Sequence, residues 1–430
     1  MRYQPIDNKL FINNRERLRK QLKPNSVAVF FSNDLMPRSA DAFHVFHQNP
    51  DLFWLTGVDQ EECMLLIFPD APNDDWKEVL FVRETNETIA IWEGAKLTKQ
   101  EATQVSGIKT VLWAKDFDKL LSVIVNQAEN IYLNLNEHDR YVSPSDYTDL
   151  RHVRKIREQF PLHKFERLAP IMHRLRSVKS DIEIELTKQA CEITRKGFER
   201  ILKFVKPGVM EYEIEAELTH EFIRNRSRGH SYEPIIASGA NACVLHYVAN
   251  DQPCKDGDVI LLDFGAEYAN YNSDLSRSIP VNGRFTKRQR QVYDAVLSVM
   301  KSARTMLRPG NTLKNYHEEV GQIMSKELVD LGLISTSDIA RQDPAWPAYK
   351  KYFMHGTSHF LGLNVHDVGN RYLPMMEGMI FTCEPGIYIP EEGLGIRLEN
   401  DILITHEGTI DLMANIPLEA EEIEDLMNSK

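Results

Sequence analysis

The chain of 430 residues carries 51 Lys and Arg against 63 Asp and Glu, a formal net charge of -12, and is 42% hydrophobic and 27% charged. That balance is the one soluble globular proteins of two domains show, and it argues against a nucleic-acid-binding surface, which needs clustered cations to displace phosphate counterions. The segment Met1 to Asn8 has no apolar stretch and no later run approaches the ~18 residues of a membrane span, so neither leader nor anchor is expected and the cytoplasm is the expected compartment. Five scattered cysteines, Cys63, Cys191, Cys243, Cys254 and Cys383, form no Cys-x-x-Cys pair, which fits a reducing compartment and excludes a thiolate zinc cage.

Residues 10 to 22 have the pattern of a basic amphipathic helix, and Ser26 to Phe31 that of a strand. Further strands are predicted over Cys63 to Phe68, Glu78 to Val82 and Ile131 to Leu135, with helical patterns between them, so residues 1–176 are expected to form an α/β domain. Its stretch from His47 to Gly57 is aromatic, and those rings are expected in the core, since no catalytic constellation accompanies them. A boundary falls near Arg176, because Ser180-x-x-Glu183 is the capping box of a new helix, which runs to Val205 and stops at Lys206-Pro207-Gly208. Thr286 with Gln289 repeats the device; Val292, Val296, Val299 and Met300 form the apolar stripe, and Arg308-Pro309-Gly310 ends the helix. After each Pro-Gly comes another helical pattern and later a strand ending in a carboxylate. Residues 177–430 are therefore read as one domain, with two related α/β halves spanning 177 to about 415 about a pseudo-twofold. The acidic tail from Leu418 to Met427 is expected to be a solvated helix.

The carboxylates carry the chemistry. Val259-Ile260-Leu261-Leu262 runs into Asp263 as a buried strand would, and a hairpin centred on Tyr268 and Ala269 would set Asp274 directly across from it on one face. Opposed like charges repel, so such a pair calls for a cation between them; two solvated carboxylates are the alternative for this pair alone. In the second half Glu391 and Glu392 lie midway between Glu384 and Glu399, so a second hairpin would oppose two more. Between them His355, His359 and His366 fall within twelve residues among glycines that allow close backbone approach. Alone, each would more often be a core histidine; beside four convergent carboxylates they read as a site. Carboxylates with an imidazole and no thiolate favour hard or borderline ions such as Mn, Co, Fe or Zn. Four of them can balance two dications, which can share a hydroxide nucleophile near neutral pH.

In that order and in those local motifs, Asp263, Asp274, His359, Glu384 and Glu399 resemble the ligands of the pita-bread metallopeptidases. With His246-Tyr247, His355-Gly-x-Ser-His359 and Val365-His366-Asp367-Val368-Gly369, and with Arg38-Ser-Ala-Asp41, Gln48-Asn-x-Asp51 and Thr56-Gly57 near the start, the chain is similar to the Xaa-Pro aminopeptidase (aminopeptidase P) family over nearly its whole length. The resemblance implies a pita-bread C-terminal domain with an antiparallel sheet between its halves, and two divalent ions, Mn foremost. Asp274 and Glu399 would bridge the ions, Asp263 would complete one site, and His359 with Glu384 the other. Glu384 would also shuttle the proton to the leaving proline nitrogen, while His366 and His246 would stabilise the oxyanion. His355, Tyr232, Tyr388 and Arg397 would line the proline pocket or stand behind it. Trp92 would reach across from another subunit of a homodimer or homotetramer, although burial in the core is an equal expectation for it. Small peptides with proline second would be the substrates. The prolidase reaction on X-Pro dipeptides is the alternative, and Gln48-Asn-Pro-Asp-Leu-Phe-Trp54 favours the aminopeptidase. A non-catalytic binding module or a metal-free creatinase-like hydrolase would lack ligands that this sequence has.

Overall fold

The computed structural model describes residues 2–138, 140 and 142–429. Two compact units emerge, one over Pro5–Arg176 and the other comprising Ser177–Lys430 together with the residues up to Gln4. The first few residues thus leave the N-terminal unit to which an even split at Arg176 would assign them. Gln4 N–H donates to the Tyr268 hydroxyl at 3.2 Å and the Tyr3 ring packs edge-on against Tyr268 at 6.2 Å, contacts that hold them to the C-terminal unit.

The N-terminal unit is built on a six-stranded mixed sheet in which Ser26–Phe31 is central, antiparallel to Met64–Ile67 and parallel to Asn130–Leu133. Glu78–Val82 follows Met64–Ile67, and the edge strands are Thr110–Trp113 and Lys164–Arg167. The four strands predicted from apolar runs are present within a residue or two. Lys164–Arg167 has no such run and buries no residue, and Thr110–Trp113 offers only the short run Val111-Leu112-Trp113, of which Val111 alone is buried, so neither edge strand was expected. The basic helix forms over Lys9–Arg19 with Leu10, Phe11 and Leu18 buried, and its Arg15 is buried too, paired with Glu78 at 3.0 Å and donating to the carbonyls of Leu55 and Ser106. The aromatic stretch is core, as expected. Asn49 caps the Pro50–Thr56 helix through Asp51 and Leu52 N–H, Gly57 ends it in the left-handed region at φ 67°, and Leu52 to Leu55 are fully buried.

In the C-terminal unit the capping boxes form where the sequence places them. Glu183 accepts from both the N–H and the hydroxyl of Ser180 at 2.9 Å, opening the Asp181–Phe204 helix, and Gln289 does the same for Thr286 N–H at 2.8 Å, opening Lys287–Met306. Each long helix packs against the next helix in the chain, Glu211–Arg224 and Leu313–Asp330 respectively, and each pair is followed by an antiparallel hairpin. The expected repeat of helix, helix and carboxylate-bearing hairpin is therefore the architecture of this unit. The tail corrects its expectation, because the Ala420–Asn428 helix buries Ala420 and Ile423 and is held by basic residues of the Lys287–Met306 region: Arg284 meets Glu424 at 3.0 Å and Lys301 meets Glu419 at 2.7 Å. No helix among the described residues is long and apolar enough to cross a membrane.

Candidate metal centre

Two hairpins and one returning loop bring the chemistry together. The first hairpin turns at Ala269 and Asn270, both in the left-handed region at φ 55° and 66°, rather than at Tyr268 and Ala269. Its register pairs Asp263 with Ser276, so Asp274 lies one diagonal step from Asp263 and not directly opposite. A shift of one residue at the turn moves the partner by two, which preserves the face, and the Tyr232 hydroxyl bridges the pair, 2.6 Å from Asp263 Oδ1 and 2.5 Å from Asp274 Oδ1. In the second hairpin Cys383 pairs with Asn400 and Gly386 with Arg397, a register that sets Glu384 opposite Glu399 about the Pro390–Glu392 turn, as predicted. The hairpins join edge to edge where Glu399 N–H donates to Ser276 O at 3.0 Å and Ser276 Oγ donates to Glu399 Oε2 at 2.7 Å.

His359 lies beside Ile380–Cys383, with Thr382 N–H donating to its carbonyl at 3.0 Å. Its Nδ1 is 3.0 Å from Phe360 O, and because a carbonyl only accepts, Nδ1 carries a proton and Nε2 is turned to the carboxylates, 3.4 Å from Asp274 Oδ2 and 3.8 Å from Glu384 Oε1. One ligand atom each from Asp274, His359 and Glu399 lie within 4.8 Å of one another, with Asp263 and Glu384 flanking them.

The electrostatics fit divalent ions. Burial lifts the Glu384 carboxyl to about 7, partly offset by His359, and raises Asp263 against the opposing pull of Arg397. Burial, with the charges of Asp274 and Glu384, drives Glu399 well above the carboxylate range. For Asp274 the same burial is outweighed by the hydrogen bond and charge of His359, and its carboxyl is held down. Among the described residues the four carboxylates outnumber the cations near them, of which Arg397 pairs directly with Asp263, and two divalent ions held by Asp263, Asp274, His359, Glu384 and Glu399 would supply the missing positive charge.

The remaining predicted residues fall into three groups. His355 stands at the cluster, Nδ1 3.7 Å from Glu384 Oε2 and Nε2 2.8 Å from the Tyr388 hydroxyl; His366 is exposed and meets the His359 ring edge-on at 4.4 Å; and His246 is exposed on a turn. Tyr388 and Arg397 are buried, and of the two places expected for them, on the pocket wall or behind it, their contacts fit the second: Arg397 donates to Asp263 at 2.5 Å, to Tyr388 at 2.9 Å and to Ser276 at 2.9 Å, bracing the carboxylates. Trp92 belongs to the N-terminal unit, on Glu87–Glu93, where it is 83% exposed and so is not a core residue. Sequence reasoning assigned no role to Ser276 or Asp401. Asp401 accepts from Asp274 N–H at 3.1 Å and from Cys191 Sγ at 3.5 Å. Both could have been found from strand alternation, since Asp401 lies two residues beyond Glu399 on the same face.

Residues 185–406 match the family model of metallopeptidase family M24, and residues 11–132 that of the aminopeptidase P N-terminal domain. The chain is 35% identical to the Xaa-Pro aminopeptidase of Escherichia coli (strain K12), with 98% of each covered, and 30% identical to Xaa-Pro aminopeptidase 3 of Homo sapiens, with 94% of this chain and 81% of that one covered. Among solved structures, an Escherichia coli aminopeptidase P variant in complex with substrate has a TM-score of 0.88 at 34% identity over 99% of both chains, and the zinc-substituted form of that enzyme in complex with product gives the same values. The chain therefore belongs to metallopeptidase family M24, in the branch that carries the aminopeptidase P N-terminal domain, and is a metallo-exopeptidase.

Proposed function

We propose that the chain releases the N-terminal residue from peptides with proline in the second position. The observation that carries this reading is the cluster of buried Asp274, Glu399 and His359 with partly buried Asp263 and Glu384, flanked by the exposed His366 and by His355, in a chain similar over nearly its full length to Xaa-Pro aminopeptidases. Two bound divalent ions, Mn foremost with Co, Zn or Fe as alternatives, supply Lewis-acid activation of water and charge neutralisation. The chain's own side chains do the rest. Tyr232 fixes the orientation of Asp263 and Asp274 through one hydroxyl, and Arg397 with Ser276 fixes Asp263 and Glu399. Glu384, between His355 and His359, accepts a proton and returns it to the departing proline nitrogen. His366 and His246 donate to the oxygen on which charge develops, and His355 borders the proline.

The exposed Trp92 suits an interface anchor, so a homodimer or homotetramer is included in this reading, as is a cytoplasmic location. A length series separates the aminopeptidase from a dipeptidase. After reconstitution with Mn, X-Pro-X tripeptides and longer peptides should be cleaved, releasing the first residue. Turnover of X-Pro dipeptides with none of tripeptides would overturn the proposal, and metal analysis of protein prepared without chelator tests the ion count.

A further inference from the structure

Lys179 and Asp367 form an ion pair with each side chain only 1% exposed, Nζ standing 3.4 Å from Oδ2. Desolvating both charges removes most of what their attraction returns, so stability alone is a poor reason for such a pair. Its position suggests another reason. Asp367 follows His366 in the chain; the aspartate is buried, while the histidine is exposed and packs edge-on against His359. The segment between the two histidines doubles back tightly, with Asp367 N–H donating to Phe360 O at 2.9 Å and Gly362 N–H to Asn364 O at 3.1 Å.

Gly362 makes room for the pair. A Cβ at that position would lie 2.3 Å from Asp367 Oδ2 and 3.1 Å from Lys179 Nζ. The carbonyl of the same glycine accepts from Asn272 N–H at 2.9 Å, which ties the turn to the hairpin bearing Asp274. Lys179 is itself fixed, because its N–H donates to Gly378 O at 2.8 Å and the next residue is the capped start of the Asp181–Phe204 helix. A pinned ammonium therefore draws Asp367 inward and fixes the backbone beside it, from which the adjacent His366 stands exposed against the His359 ring.

We infer that the Lys179–Asp367 pair is a positioning device for His366, holding its imidazole where the reaction needs a donor. The inference rests on the proposed role of His366, and the test separates the two. In metal-reconstituted enzyme, Lys179→Met should lower kcat about tenfold, with KM within about twofold and two ions still bound. In a His366→Ala background the same substitution should lower kcat less than about twofold further, since the group it positions is gone. Lys179→Met/Asp367→Asn, which strands no buried charge, should recover the melting temperature without recovering kcat, and it carries the comparison if Lys179→Met alone does not fold. Recovery of kcat with the melting temperature, equal losses in both backgrounds, or loss of metal would overturn the inference. If His366→Ala itself keeps full kcat, the role of His366 fails and the inference fails with it.

Discussion

Replacing Arg397 by Met tests whether one guanidinium holds the carboxylate cluster together when ions are removed. Arg397 is 5% exposed and donates to Asp263 at 2.5 Å, Tyr388 at 2.9 Å and Ser276 at 2.9 Å, and Ser276 in turn donates to Glu399 at 2.7 Å. Methionine fills much of the space of the arginine stem, so the substitution removes charge and donors more than volume. Taking one partner from a buried ion pair costs about 3–5 kcal/mol, because the other charge is stranded. Set against a total stability on the order of 5–15 kcal/mol, that is a large fraction. At about 2–4 °C per kcal/mol for a unit of this size, Tm in chelator should fall by about 6–20 °C. Restoring the ions should return part of the loss, since they again set positive charge before Asp263. Circular dichroism melts of both proteins, with chelator and with Mn, measure each quantity. A fall below about 2 °C in chelator refutes the stranded-charge account.

Asp274→Ala and Glu399→Ala should each lose bound metal and activity together, as read by elemental analysis beside peptide hydrolysis, and near-normal activity with both ions retained in Glu399→Ala would sink the ligand assignment. Trp92→Ala should leave metal content intact, because the side chain is 83% exposed, yet change KM for longer peptides more than for short ones; an active monomer with unchanged length preference speaks against a role at an interface. His230, whose ring packs against Phe222 at 4.9 Å, is pushed by burial down to about 4 from an ordinary value of 6.5. Its folded-state pKa is depressed, so its contribution to stability is complete above pH 6.5 and is lost as pH falls toward 4; urea midpoints should decline more over that window in the wild type than in His230→Gln, and parallel declines would refute it.

What the sequence made legible was what local chemistry decides. Ser180 with Glu183 and Thr286 with Gln289 announce their helices because a cap is satisfied within three residues. The run into Asp263 announces a buried strand because every residue from Val259 to Leu262 faces a core. Glu384 opposite Glu399 followed from counting to a turn, whereas the first hairpin was counted one residue short because Ala269 and Asn270 both take the left-handed conformation and only Asn favours it. The edge strands Thr110–Trp113 and Lys164–Arg167 are recruited by parallel neighbours, and the first offers only the short run Val111-Leu112-Trp113 and the second no apolar run at all. Arg397 was expected on the pocket wall or behind it, and nothing local tells which side of a pocket a long cation approaches. The acidic tail is held by Arg284 and Lys301, partners more than a hundred residues distant that no window along the chain contains.

The two hairpins also impose parity on this chain. Asp263 and Asp274 share a face because the residues between them count out to one side, and Glu384 and Glu399 do so because Cys383 meets Asn400 and Gly386 meets Arg397. One residue added within either hairpin would turn a carboxylate toward the opposite face and bring a neighbour such as Ser273 or Leu275 into its place, whereas two residues would restore it. Lengths here can drift only in even steps. A single inserted residue would displace a ligand even with every side chain kept, so this centre is a matter of arithmetic as much as of residue identity.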